Sequence, residues 1–209
     1  MLSSRHFSIA MLGLSLAVPM AAGTAGPSMA QTAADGAPEG FSFASDGTTL
    51  IHVASGLRFP AQFKGFTRLK EQATDPSGQY VAISYDHPLA AGKDHLLVRF
   101  AVVQIEDMSA KDHYVIMRQA AMSHFSAPSI AAEGPVKIPN NPSLDAYRGT
   151  FNGMRDNQPW RFSLTTVNYG PWSGRMTAAY PQRDAAEAEK HLGVLLTEVR
   201  LQTPKALTK

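Results

Sequence analysis

The chain has 209 residues, a formal net charge of +2 at pH 7 and no cysteine. Mixed charge without a run of lysines or arginines argues against nucleic-acid binding, which needs a basic face toward phosphates. Without cysteine there is no disulfide, no thiol nucleophile and no site for an acylated lipoprotein anchor.

The first 30 residues read as a cleavable signal peptide. Arg5 is the only charge, Phe7–Val18 is an apolar run, and small residues dominate from Ala21 to Ala30. Ser28-Met29-Ala30 and Gly23-Thr24-Ala25 both offer small side chains to a signal peptidase, so cleavage follows Ala30 or Ala25. Apolar density falls after Val18, short of the roughly 20 residues a membrane-spanning helix needs. The expected location is periplasmic or secreted. Removing the leader leaves about 180 residues, enough for one domain with a core of its own. Residues 31–40 read as a disordered Ala-, Gly- and Pro-rich leader, and 41–204 as the domain.

Asp46-Gly47 predicts a turn, followed by a strand over Thr48–Val53. Gly56-Leu57-Arg58-Phe59-Pro60 predicts a short strand end, and Gly65–Gln72 a further strand. Asp75-Pro76-Ser77-Gly78 is the clearest turn, because proline presets one backbone angle and glycine releases the next. Tyr80–Tyr85 is the next strand, and Ala90–Lys93 the next turn. His95–Ile105 predicts a strand with Leu97, Arg99, Ala101, Val103 and Ile105 on one face. Both its faces are fairly apolar, which places it centrally in a sheet. The period then becomes helical. Ser109 is an expected N-cap with Asp112 three residues on, and Tyr114, Met117, Ala121 and Phe125 repeat along one stripe. Pro128 ends that pattern, and Ser126–Leu144 predicts a long connection with one short strand at Val136–Ile138.

Three strands follow, at Asp145–Phe151, Trp160–Tyr169 and Trp172–Tyr180, joined by a polar turn at Asn152–Pro159 and by Gly170-Pro171. Short connections make them an antiparallel meander. Pro181 and Asp184 open a last helix with Ala188, Leu192, Leu195, Leu196 and Val199 as its apolar stripe. Its acids lie early and Arg200 late, as the helix dipole favours. The fold class is therefore α+β: an antiparallel β-sheet packed by two α-helices, preceded by a cleavable signal peptide.

The run Gly56–Pro60, then Gly65-Phe66 and Tyr80–Tyr85, with the closing strand into Tyr180-Pro181 and an amphipathic helix, resembles uncharacterised exported proteins of Gram-negative bacteria. The element order is also similar to the PsbP-like α/β/α sandwich. That resemblance implies a small non-catalytic accessory or binding domain and supplies no functional residues.

No cofactor motif is present: Gly149 and Gly153 lie between strands and lack the helix a phosphate loop requires. Asp86-His87, Asp94-His95 and Asp112-His113 hold metal-ligand side chains, but neighbours on a strand point to opposite faces, so no metal site is assigned. Asp86 and His95 flank one predicted hairpin, which can bring them together. Met117, Met122 and His124 suit copper, yet methionine on an apolar helical face is ordinarily core filler. Gly170-Pro171-Trp172-Ser173-Gly174 departs from the nucleophile elbow in spacing and in context. The binding candidates are Trp160, Tyr169, Trp172 and Arg175, because aromatics interleaved with arginine form contact surfaces for a protein, glycan or lipid headgroup. At least one of Tyr169 and Trp172 is expected at the hairpin tip; the competing reading packs the rings beneath the sheet. The leading expectation is an exported non-enzymatic binding domain. Its alternatives are an enzyme with His87 or His95 as base, and a metal-handling protein using the Asp-His pairs.

Overall fold

The computed structural model describes residues 36–198, apart from 76, 139 and 140. The expected signal peptide, and Val199 and Arg200 of the expected last helix, lie outside the described residues. Eleven described strands form two sheets. β1 (Phe41–Phe43), β2 (Leu50–His52) and β3 (Arg58–Phe59) make a small antiparallel one. The main sheet contains β4 (Gln62–Phe63), β5 (Phe66–Thr74), β6 (Tyr80–Leu89), β7 (Asp94–Gln104), β8 (Ser126–Pro135), β9 (Ala146–Arg155), β10 (Gln158–Asn168) and β11 (Trp172–Pro181). Their spatial order is β4-β5-β6-β7-β11-β10-β9-β8, antiparallel throughout. Two helices, α1 (Ala110–Met122) and α2 (Ala185–Glu198), complete an α+β architecture.

Local chemistry accounts for most boundaries. Asp46 accepts from the Thr48 and Thr49 amides at 2.8 and 2.7 Å, closing the turn into β2, and Gly47 takes the left-handed φ of 68° there. Asp75 accepts from the Tyr80 amide at 2.7 Å and its carbonyl from Gly78 at 3.0 Å, so the predicted turn starts β6. Ser109 caps α1 by accepting from the Asp112 amide at 3.1 Å. Between β9 and β10 the loop is only Asp156-Asn157, with φ of 50° and 59°, the two-residue turn whose twist matches paired strands. The polar turn expected over 152–159 is therefore far shorter than its composition suggests. The Pro38–Phe41 turn, in which the Phe41 amide donates to Pro38 oxygen at 2.9 Å, belongs to the domain, although 31–40 was expected to be leader. Ala37 packs on the core there.

The largest departure is β8. Sequence composition predicts a connection over Ser126–Leu144, but Ser126–Pro135 is a ten-residue edge strand paired to β9. Nearly all its side chains are exposed, so no burial pattern announces it. Main-chain pairing to β9 holds it, and an edge tolerates Pro128, Pro135 and two register shifts. Val136–Ile138 is not a strand: Ile138 forms an isolated bridge to Asn141.

Strand alternation sorts side chains into two cores, one on each face. On one face Val81, Ile83 and Leu89 of β6, Leu96, Val98, Phe100 and Val102 of β7, and Trp172, Met176, Ala178 and Tyr180 of β11 pack together. Ala188, Leu192 and Leu195 of α2 cover them, with Phe41, Leu50 and Phe59 of the small sheet. Glu189 ties α2 down, accepting from Arg148 of β9 at 2.9 Å and from the Tyr180 hydroxyl. On the opposite face Tyr114, Met117 and Ala121 of α1 pack against Phe151 of β9 and Phe162 and Leu164 of β10. The two helices thus lie on opposite faces, as an antiparallel sheet between two helices requires.

Gly149 is where α1 meets β9. The Tyr114 ring crosses it to donate its hydroxyl to Glu133 of β8 at 2.8 Å. A Cβ on Gly149 would run into that hydroxyl and lie 2.7 Å from the Phe151 ring. Gly149→Ala is expected to destabilise the domain by about 1–3 kcal/mol through overpacking. Gly134→Ala on β8, where a Cβ meets nothing within 4 Å, should leave the urea midpoint unchanged. Equal midpoints for both variants would contradict this packing.

Candidate functional site

The three Asp-His pairs separate. Asp86 and His95 do meet across the β6–β7 hairpin, with Nδ1 of His95 2.9 Å from the carboxylate. The His95 side chain is 53 % exposed on an open strand. His87 points to the other face, where Nδ1 donates to Pro88 oxygen at 2.7 Å and the ring lies against His191 of α2, tilted by 35° at 3.9 Å between centroids. Asp94 binds Arg183 at 2.5 Å, Asp112 closes the α1 cap, and His113 of α1 is buried against the sheet. Among the described residues no three of these side chains group as a metal site. The convergence that a metal-handling reading requires is not met.

Ser173, set aside in sequence as a displaced elbow serine, lies 2.5 Å from Nδ1 of His113. The geometry is that of a nucleophile–base pair, but the surroundings are not. Ser173, near the start of β11, and His113, on the sheet side of α1, are 1 % and 3 % exposed. A nucleophile must reach its substrate, so this pair acts as a pin between α1 and β11. Thr166 of β10 adds a second, donating to the Ala110 carbonyl at 2.7 Å.

The aromatic candidates divide, and most leave the surface. Trp172 is 0 % and Tyr169 4 % exposed, although the hairpin tip was expected to expose one of them. Trp172 sits on the face that α2 and the small sheet cover, edge-on to His52. Tyr169 backs onto Gly174, where an added Cβ would lie 2.8 Å from its ring, and burial pushes its hydroxyl well above the usual pKa. Tyr180 is buried as well. Trp160 is partly exposed at the far end of β10, where it carries the Arg155 guanidinium 5.1 Å from its ring. The four rings therefore form no common patch. Alternation sends Trp172 and Tyr180 to the covered face; Tyr180 lies beside Trp160 in register but on the opposite face, and the length of the β10–β11 pair separates Trp172 from Trp160.

Arg175 is the one candidate that marks an open surface. It lies on the α1 face, but α1 covers β9, β10 and only part of β11. Beyond it the same face of β11, β7 and β6 continues as a grid. Ser84, Arg99 and Thr177 stand opposite one another in one row, and Ala82, Ala101 and Arg175 in the next. Tyr80 with Val103, and Asp86 with Leu97, bound the two rows. Arg99 and Arg175 are thus diagonal neighbours on adjacent strands, about 7–8 Å apart at the backbone. Arg99 donates to the Ser84 hydroxyl at 3.3 Å, and its Nε is buried without a partner. Arg175 reaches the Met117 sulfur at 3.0 Å and the Tyr80 hydroxyl at 3.5 Å, neither a strong acceptor contact. Among the described residues no carboxylate forms an ion pair with either guanidinium.

Arg99, Ser84 and Tyr80 were not singled out as site residues from sequence. The available signal was Arg99 itself, a cation inside the apolar run of a central strand. Nothing in the sequence says that its face stays uncovered.

Burial, and then the Arg175 charge, lower the His113 pKa from 6.5 to about 4. The folded state therefore favours neutral imidazole. Its contribution is complete above pH 6.5 and is lost as pH falls toward 4, by about 3 kcal/mol. His52 and His191 shift the same way through burial. The urea midpoint of the native chain should fall steeply between pH 7 and 4.5. His113→Gln should be less stable at pH 7 and should lose less over that interval; parallel pH profiles would refute the pin.

No protein-family model matches this sequence, and no curated protein matches it. Among solved structures, a Pseudomonas aeruginosa protein of unknown function is similar at 10 % identity and a TM-score of 0.47, over 68 % of this chain and 88 % of that one. A likeness that distant carries no argument about function.

Proposed function

We propose that this chain is an exported protein whose mature domain works by binding an envelope component rather than by catalysis. The observation that carries the reading is the half-open α1 face, where Tyr80, Ser84, Leu97, Arg99, Arg175 and Thr177 are only partly buried. The polar pairs that resemble catalytic parts lie elsewhere or lack partners. Ser173 and His113 are sealed. Asp86 and His95 form an exposed pair on an open strand. Arginine with mixed apolar and hydroxyl neighbours is the composition of a contact surface. The export half of the reading is supported by the apolar run Phe7–Val18 and the small residues before Ala30. No helix among the described residues is long and apolar enough to cross a membrane.

Two measurements test it. The intact mass of the chain from a periplasmic fraction should correspond to a start after Ala30 or Ala25; full-length chain confined to the cytoplasm would overturn export. A photo-crosslinker at Leu97, on the open face, should label an envelope component identified by mass spectrometry. The same probe at Val194 of α2, exposed on the opposite side of the sheet, should not. Equal labelling from both positions would remove the open face as the binding surface.

A further inference from the structure

The open face holds two cations that pair with no carboxylate among the described residues. Arg99 is partly buried, its Nε has no acceptor among the described residues, and it donates to the Ser84 hydroxyl. Arg175 rests against a thioether and a phenol. Taking a guanidinium partly out of water without a counter-charge is costly, and a fold under no other constraint avoids it. Asp86, an acid on the same face, is occupied by His95. Guanidinium presents planar pairs of donors that match the oxygens of a carboxylate or phosphate. Two such groups on diagonal positions of adjacent strands can share one oxyanion between them.

The surroundings say more about the ligand. Ala101, which adjoins both arginines, and Ala82 beside it make a low floor buried beneath their longer neighbours. Leu97 and Val103 flank it along β7. One wall is α1. On that helix Tyr114 and Arg118 point toward β8, because both reach Glu133. Helical spacing then turns His113, Ile116 and Ala120 toward β7. Ile116 is 53 % exposed there, with no apolar neighbour required of it by the core. His113 is sealed against Ser173 and adds no charge near neutrality. Cationic head, low floor and apolar flank together describe an amphiphile's site rather than a site for a bare ion.

Resting on the binding reading above, we propose that Arg99 and Arg175 bind the oxyanion head of an amphiphilic ligand, a carboxylate or phosphate. Its apolar body lies along Leu97, Val103 and the Ile116 side of α1. Ser84 and Tyr80 hold the two guanidinium groups in place and are positioning residues.

Calorimetric titration of the mature chain tests this with four probes kept below micelle-forming concentrations: dodecanoate, dodecyl phosphate, inorganic phosphate and the neutral dodecyl maltoside. Dodecanoate and dodecyl phosphate should bind at one site, inorganic phosphate at least tenfold more weakly, and the maltoside not measurably. Arg99→Gln and Arg175→Gln should each weaken anionic binding at least tenfold. Arg99→Gln should not lower the unliganded thermal midpoint, since among the described residues its guanidinium has no ionic partner to lose, which separates lost binding from lost folding. Inorganic phosphate binding as tightly as dodecyl phosphate would overturn the apolar part of the proposal. Anionic binding unaffected by both substitutions, or matched by the maltoside, would overturn it entirely. Should no anion bind while the Leu97 crosslink persists, the oxyanion assignment fails and the binding face stands. Loss of the Leu97 crosslink with arginine-dependent anion binding intact leaves the ligand site and removes the envelope partner.

Discussion

An eight-stranded sheet is too wide for one helix to cover, and this geometric mismatch organises the molecule. Strands lie about 4.8 Å apart, so eight of them span about 34 Å, whereas a helix with its side chains is about 10–12 Å across. On one face the deficit is made up by α2 together with the small β1–β3 sheet, and a large apolar core results. On the other face α1 stands over β9 and β10 and reaches the near side of β11. The strands beyond it must manage their exposure through their own side chains. They do so with long polar residues beside small ones: Tyr80, Arg99 and Arg175 next to Ala82 and Ala101. Arginine suits such a place because its stem covers apolar surface while its head stays near water. The half-covered face is where the fold leaves these polar side chains partly accessible.

The polar residues inside the fold serve mainly to fix where the helices sit. α1 is located by His113 on Ser173, Thr166 on the Ala110 carbonyl, and Tyr114 reaching Glu133 past Gly149. α2 is located by Glu189, which gathers Arg148 and Tyr180, and by His191 packed against the His87 ring. A strand shifted by one residue would exchange every side chain between the faces. These bonds therefore specify register as well as position. They also explain why pairs that look catalytic in isolation are not arranged for turnover. A serine and histidine at hydrogen-bonding distance are common parts; access to a substrate distinguishes a reactive pair from a structural one.

Much of the local structure was legible in the sequence. The Asp46-Gly47 and Asp75–Gly78 turns, the Ser109 cap, the centrality of β7, the β9–β10–β11 meander and the Ala188–Leu192–Leu195 stripe all follow from interactions within a few residues. Asp86 meeting His95 was also legible, because a hairpin relates its two sides by simple counting. β8 was not, since an edge strand with both faces exposed has no hydrophobic period and its prolines read as a connection. The aromatic candidates failed for a different reason. Composition placed Trp160, Tyr169, Trp172 and Tyr180 near one another, but pairing over nearly the whole length of β10 and β11 set Trp160 and Trp172 at opposite ends.

By itself, then, the sequence determined the order of elements, most of their turns and caps, the α+β class, and two alternating sets of residues along each strand. Those features depend on backbone preferences and on periods that neighbouring residues impose. Only the tertiary structure decided which set is covered, and by what. That choice depends on where a helix lands relative to strands that are distant in the chain, and on how far its width reaches. For this reason Trp172, an obvious surface candidate in sequence, closes the core. Arg99, an ordinary member of a central strand, stands instead on the open face beside Arg175.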